Sequence, residues 1–460
     1  MQHPRFHPVM NDRNEAARFD EAIGRITSWF QSIYVMKSGF PAYEINGDTG
    51  EHLGHRDLLA ELDDYLPFFW MAGETEYVRR QLRLLNERLS ESLFLFNRPQ
   101  IRRKVGIGLP GPLRRIVPYS DVQDYVEILY GLLELHGLCP ELDTLNPARE
   151  LFRHIIRNFG SNGRLHSFRL MPFGPVLPVM DAMTGMYIEI GVELFEKTGE
   201  RGYLDTVAQW CRTWLNTDLC RAFGFFASTQ LTGIWKKIRA LRRYTRRVEL
   251  AKANTSMAFG LIALARIPDT TGWALPALER WLRGIHSRFI TENGVFTHFP
   301  RLDDAPVHLP ILSTNFALID IFCDVAHAFN RPEYLDSARC IADFYLQHQS
   351  SETGLFPDEI GGHRSYLDAN TDLAVALYRL TELTKEDDYR EAGLRALDGI
   401  LRFHQAPFGY YRDVEINTGA PIRSLVETRF VSLFLKALLL YRDRPELYSG
   451  HDAWARYRDR

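Results

Sequence analysis

Two kinds of amphipathic segment alternate along the chain. In 331–348 (RPEYLDSARCIADFYLQH), Tyr334, Ala338, Ile341, Ala342 and Tyr345 fall at i, i+4, i+7, i+8 and i+11, a single apolar stripe with charges elsewhere. Residues 75–97, through Val78, Leu82, Leu85 and Leu89, and 386–403, through Tyr389, Ala392, Ala396 and Ile400, repeat the pattern. One stripe buries one side, so these segments predict an outer layer of helices. In 424–441 (SLVETRFVSLFLKALLLY) apolar residues wrap most of the circumference, as they do in 183–195, 255–267 and 365–380. Such helices must be packed on several sides and predict an inner layer.

A short phrase returns between each outer segment and the next inner one. It reads Gly39-Phe40-Pro41, Gly163-Arg164-Leu165, Gly224-Phe225-Phe226, Gly294-Val295-Phe296, Gly354-Leu355-Phe356 and Gly409-Tyr410-Tyr411, with the Pro-rich segment 104–119 in the remaining place. The unit is a helical hairpin of about 55–65 residues. Tight turns such as Met71-Ala72-Gly73, Lys197-Thr198-Gly199 and Asn330-Arg331-Pro332 lie on one side, and loops of roughly 15–35 residues gather on the other. The expected fold is all-α: an (α/α) toroid of about seven hairpins, with six as the alternative count. It forms a single domain over 1–460 with a basic insertion at about 231–249. Each Gly is expected to take a positive φ and end its outer helix, throwing the following polar residues over a central cavity. Inner-helix N-termini aimed at that cavity add free amides and a partial positive field.

Composition changes this picture only by exclusion. With 45% hydrophobic and 25% charged residues and a net charge of −3, the chain has material for a large core and no overall basic character. No apolar run is long enough for a membrane span and no secretory leader is seen; Cys139, Cys211, Cys220, Cys323 and Cys340 form no CxxC pair. These features are expected of a cytoplasmic protein with reduced core cysteines. The segment 231–247 places seven Lys and Arg around Ile234, Trp235, Ile238, Leu241 and Tyr244, a basic amphipathic helix. It predicts peripheral contact with an anionic membrane through 234–247, whereas no recognition motif supports nucleic acid.

The alternation, the Gly-aromatic loops and the stretch 193–204 (ELFEKTGERGYL) resemble the six-hairpin and seven-hairpin glycosidase-like superfamily over nearly the whole chain, at the level of architecture. Glu427-Thr428-Arg429-Phe430 is similar to the Glu-Thr motif in the closing helix of seven-hairpin α-mannosidases. The other motifs of that family are missing, so neither its activity nor its calcium is carried over. The resemblance implies a carbohydrate substrate and, first, a glycoside hydrolase. A sugar epimerase or polysaccharide lyase is the alternative, and a glycan-binding or scaffold toroid the second.

Hydrolysis of a glycoside needs one carboxyl to protonate the leaving oxygen and a second to activate water or attack. Acids in or just after the mouth loops are Glu44, Asp57, Asp121, Asp124, Asp181, Asp303, Asp304, Asp358, Glu359, Asp372, Asp413, Glu415 and Glu427. Asp358 and Glu359 follow the Gly-Leu-Phe-Pro anchor directly. Asp358 in a rigid, partly apolar setting suits the general acid, Glu427 at a helix N-terminus suits the base, and Glu359 is the third catalytic candidate. Two structural readings compete: a capping box between Ser424 and Glu427, and a helix-start role for Asp121. Candidate substrate contacts are Glu44, His55, Asp57, His298, Arg301, His363, Arg364, Tyr366, Tyr411, Arg412 and Arg423. Tyrosines would stack on sugar rings and arginine forks would take an anionic group. An epimerase would instead use His298 with His363 or Tyr366. His52, His55 and Asp57 match no closed metal site, so no metal or other cofactor is expected.

Overall fold

The computed structural model describes residues 12–94, 119–170, 179–232, 248–300 and 310–443. The seven-hairpin ring is present. Its inner helices are Leu66–Met71, Gln123–Leu138, Thr184–Thr198, Thr255–Arg266, Leu312–Ala328, Leu367–Thr384 and Thr428–Asp443. The outer helices are Asp12–Gln31, Thr75–Glu91, Leu145–Phe159, Arg201–Leu215, Pro268–Arg288, Glu333–Leu346 and Asp387–Gly399. The last inner helix packs on the first inner helix and on Asp12–Gln31, so the two ends of the chain complete the seventh hairpin. Phe19, Ile23, Ile26 and Phe30 form the buried stripe of that first outer helix, spaced as the single-stripe rule requires. Inner neighbours come closest where side chains vanish: a Cβ on Gly260 would lie 2.6 Å from the Gly185 carbonyl oxygen.

All six loop glycines have positive φ, from 70° at Gly163 to 151° at Gly409. Their role differs from the expected one. Only Gly224 caps a helix, the short Asp218–Phe223; the others sit beyond the helix end, in a tight reversal pressed against a neighbouring element. A Cβ on Gly294 would stand 2.1 Å from Cys340 Sγ on the next outer helix. The aromatic two residues later is held by an asparagine at the start of the following inner helix. Asn254 Oδ1 accepts from Phe226 N at 2.8 Å and Nδ2 donates to Phe226 O at 2.9 Å. Asn315 does the same to Phe296 and Asn370 to Phe356, and all three asparagines are fully buried. A primary amide matches a peptide group donor for acceptor, which lets an irregular loop enter the core without orphaned backbone atoms.

The loops are stitched to one another around the mouth. Strand Glu44–Asn46 pairs antiparallel with Leu425–Glu427, Arg364–Tyr366 with Asp413–Glu415, Val179–Asp181 with Thr229–Leu231, and Tyr119–Asp121 with Phe168–Leu170. Single backbone bonds, Leu250 N to His298 O and Leu312 N to Asp358 O, join the remaining neighbours on that side. The cysteines are free, but only Cys211, Cys220 and Cys323 are buried; Cys340, on the outer helix Glu333–Leu346, is exposed, and Cys139, just past the end of Gln123–Leu138, is half-buried. Replacing Asn315 by Leu removes both partners of the buried Phe296 peptide groups. Chemical denaturation is expected to show a loss of roughly 2–6 kcal/mol, at one to three per orphaned group.

Candidate functional site

Loops six and seven carry most of the expected site. Leu355, Phe356 and Pro357 are buried and deliver Asp358, half-buried, to the mouth. Burial, then Asp368 and Glu359, push its carboxyl up to about 6, with Arg364 opposing. Glu359 itself is exposed, its backbone paired with Ile311. Glu427 ends the strand Leu425–Glu427 opposite Glu44, and the helix starts only at Thr428. That register holds 425–427 extended, so the expected capping box does not form: the Ser424 hydroxyl donates to Asp48, and the Glu427 carboxylate meets Arg412 Nη1 at 2.5 Å. Glu427 is only 5% exposed, and this ion pair sets a guanidinium directly against its carboxylate.

Several expected substrate contacts are engaged within the protein. Asp413, fully buried, takes a two-point contact from Arg423 at 2.6 and 3.3 Å, with Arg364 Nε 3.7 Å away. The Tyr366 ring lies between the guanidiniums of Arg364 and Arg412, each 5.6 Å from its centre, and its hydroxyl accepts from Arg364 at 2.8 Å. Tyr411 is buried and donates to Asp48. His55 and His363 are exposed. His52 Nε2 is 2.9 Å from the Ile33 carbonyl and Asp57 accepts from Leu59 N, so these residues do not gather round one point. Asp121 accepts from Gln123 N at 3.1 Å and Asp181 from Met183 N at 2.9 Å, helix-start bonds that fit the structural reading of Asp121. His298 is held by Thr314 Oγ1 at 3.1 Å, with Nε2 4.0 Å from Glu249. Arg301, Asp303, Asp304 and the basic segment 234–247 lie outside the described residues.

The floor of the mouth is built by residues of the inner helices and of the segment before the first of them, among which the loop-centred reading counted Asp372 as an acid but not its neighbours. Arg429 reaches Glu61 at 3.1 Å and Asp64 at 3.2 Å, and Arg56, stacked 3.6 Å over the Tyr43 ring, also contacts Glu61. Asp368, Glu127 and Lys252 interact electrostatically with this group. Asp372, Glu134, Glu193 and Lys436 form a second, linked set. A third joins Arg379 to Asp320 at 3.2 Å and to Asp324, with Glu189, bonded by Tyr130 at 2.7 Å, nearby. Burial raises Asp64 to about 6, opposed by Arg429 and helped by Glu127. It raises Glu134 and Asp372 to about 7, with Lys436 opposing in both. The signal was there in the sequence. Asp368 and Asp372 are four residues apart, as are Glu189 and Glu193; Glu127 and Glu134 are seven apart, as are Arg429 and Lys436, one charged line down an otherwise apolar helix. Carboxyls half-protonated near neutrality, set beside fixed cations in a concavity, can donate or accept protons and hydrogen-bond hydroxyls. The oxygens of Glu61, Asp64 and Glu127 lie within 4.8 Å of one another, but Arg429 and Arg56 already supply the positive charge there.

No protein-family profile and no curated protein matches the sequence. Solved structures do match in shape. An α-1,2-mannosidase from Trichoderma reesei superposes with a TM-score of 0.63 at 13% identity, covering 94% of this chain and 93% of that one. The fold is the (α/α) toroid. A D-mannose isomerase gives 0.54 at 11% identity, over 95% of this chain and 99% of the other. A cellobiose 2-epimerase from Bacillus thermoamylovorans gives 0.53 at 12%, over 71% and 88%. Among the described residues no helix is long and apolar enough to cross a membrane.

The raised carboxyls carry a pH signature. Glu134 keeps its proton to about 7 in the folded chain but loses it at ordinary carboxylate pH when unfolded. The folded state therefore binds more protons between those values, and stability falls as pH rises through that window. Glu134→Gln removes this loss. Its melting temperature should exceed the parent's by a few degrees at pH 8, and the advantage should vanish by pH 4.

Proposed function

We propose that this protein is a carbohydrate-active enzyme and, within that class, a glycoside hydrolase with Asp358 as general acid and Glu427 as base. One observation carries the reading. On adjacent loops of a single mouth, one carboxyl is pushed up to about 6 by burial while the other is held in an ion pair with Arg412, and Asp368 interacts electrostatically with both. Environments that separate two acids in this way suit them to opposite proton-transfer roles. Asp358 would protonate the glycosidic oxygen as the bond to the anomeric carbon breaks, and Glu427 would take a proton from the attacking water. The structural neighbours named for mannosidase, epimerase and isomerase activities make sugars the substrate class to try first.

A second reading has its own observation. His298 lies between Thr314 and Glu249, which supports a reading in which its ring moves a proton at a carbon beside a carbonyl, as in epimerase chemistry. The two reactions separate cleanly in heavy water: hydrolysis generates new reducing ends, whereas epimerisation exchanges a carbon-bound hydrogen for deuterium and generates none.

On a substrate found by screening oligosaccharides, Asp358→Asn and Glu427→Gln should each lower kcat by roughly 10²–10⁴ while the helical circular dichroism is kept. The parent's rate should fall as pH rises through about 6, where Asp358 loses the proton it must give, and Asp358→Asn should lack that limb. Full activity in either variant would remove that residue from the chemistry. Deuterium uptake without new reducing ends, abolished by His298→Asn, would replace hydrolase by epimerase.

A further inference from the structure

The three asparagine-held loops are not equal in length. In two of them the same Nδ2 that grips the aromatic also donates to the carbonyl four residues back: Asn315 to Ile311 O and Asn370 to Tyr366 O, both at 3.0 Å. Asn254 makes the equivalent bond to Glu249 O at 2.7 Å, five residues back. Glu249, Ile311 and Tyr366 are all extended residues at the entrance to an inner structure, with φ of −118°, −110° and −101°. The fourth inner helix therefore begins with one residue more than its sisters.

The extra residue is absorbed as a single π-type turn, Leu250–Asn254, whose interior is not helical: Ala251 has ψ 146° and Lys252 has φ 63°, ψ −55°. A non-glycine residue there costs on the order of 1–3 kcal/mol and persists only where its surroundings hold it. They do. Asn254 ties the segment to Phe226 and Glu249 and accepts from Trp281 Nε1 at 3.3 Å, and the Ser256 hydroxyl donates to the Lys252 carbonyl. Single-residue π-bulges of this kind concentrate at functional sites. Leu250, Ala251, Ala253 and Asn254 are buried, and Lys252 alone of the turn opens to solvent. Its ammonium interacts electrostatically with Arg429 and with the carboxylates of Asp368, Glu127 and Asp64. Although the side chain is open to solvent, the protein atoms crowded round the ammonium and then Arg429 lower its pKa, and the three acids pull it back.

We propose that Lys252 is a substrate-contacting residue: a one-residue insertion carries its ammonium onto the floor of the mouth, where it donates hydrogen bonds to oxygens of a sugar seated against Asp368 and Asp64. A floor of carboxylates can only accept from sugar hydroxyls once ionised, and each hydroxyl also needs a donor for its own oxygen; a mobile three-proton donor supplies it. The inference rests on the carbohydrate reading above and adds a specific contact to it.

Two variants remove the ammonium without filling the space: deletion of Lys252, which also restores the four-residue spacing, and Lys252→Gly, which keeps the extra residue and adopts the positive φ freely. Both are made in the Asp358→Asn background so that bound oligosaccharide is not consumed, and both are read by calorimetric binding and by melting temperature. The expected result is a melting temperature at or above that of the Asp358→Asn parent with saccharide binding weakened by about 10–100-fold, one to two charged hydrogen bonds, and partly recovered in Lys252→Arg. Unchanged binding would overturn the proposal, as would a large drop in melting temperature in both variants, which would make Lys252 a structural ion-pair member. If the parent binds no saccharide at all, the carbohydrate reading fails first and takes this contact with it; retained binding in the variants defeats the contact alone.

Discussion

A ring of hairpins exists only if its first and last elements meet. Here Asp12–Gln31 lies against Thr428–Asp443, strand Glu44–Asn46 pairs with Leu425–Glu427, and the Thr428 hydroxyl donates to the Ala42 carbonyl. The closure has electrostatic consequences. Once the inner helices face one another, any charge on their axial side has only other axial charges, and whatever occupies the mouth, for company. Burial and repulsion then decide protonation. Asp372 and Glu134 stay protonated to about 7 although Lys436 is beside them, because desolvation outweighs one cation's attraction.

The axis is graded. At the mouth, Arg429, Arg56 and Arg412 bind Glu61, Asp64 and Glu427, giving ion pairs of fixed charge. Farther along, the carboxyls outnumber Lys436 and hold protons instead. Arg379 with Asp324, both buried, and the half-buried Asp320 forms a separate group. Buried pairs are expensive to desolvate and contribute little net stability, so their value here lies in holding orientation. The side chains at the mouth are placed by salt links: Arg412 to Glu427 within the seventh loop, and Arg364 to Asp413 between the sixth and the seventh.

The layered plan was legible because it rests on local periodicity: the single stripe of 333–346 and the all-round apolarity of 428–441 survive without knowledge of partners. The loop glycines were legible too, although their reason was misread; the helix-capping role requires only local sequence, whereas the observed one depends on Cys340, a residue of the next hairpin. What escaped was set at long range. Glu427 reads as a capping-box acid until the register with Glu44 draws its backbone into a strand. Asp413 reads as a free mouth acid until Arg423 and Arg364 close on it. The asparagines reside at helix starts, where Asn is ordinary, and nothing local says that each grips the peptide of an aromatic 14 to 28 residues earlier. The axial acids were hidden by their helices: a few charges in an apolar run look like surface positions unless their own spacing is followed.

The seam between the two ends has an implication for how this chain could be rewired. The interface of Asp12–Gln31 with Thr428–Asp443 is a hairpin like the other six, lacking only a covalent turn. The ring therefore has no privileged starting point. Joining the two termini by a tether and opening the backbone at a short turn such as Asn330-Arg331-Pro332 would give a circularly permuted chain with the same neighbours, differing mainly in the slowly varying entropy of which loops are closed. The order of translation and the order of the ring are, for this architecture, separate variables.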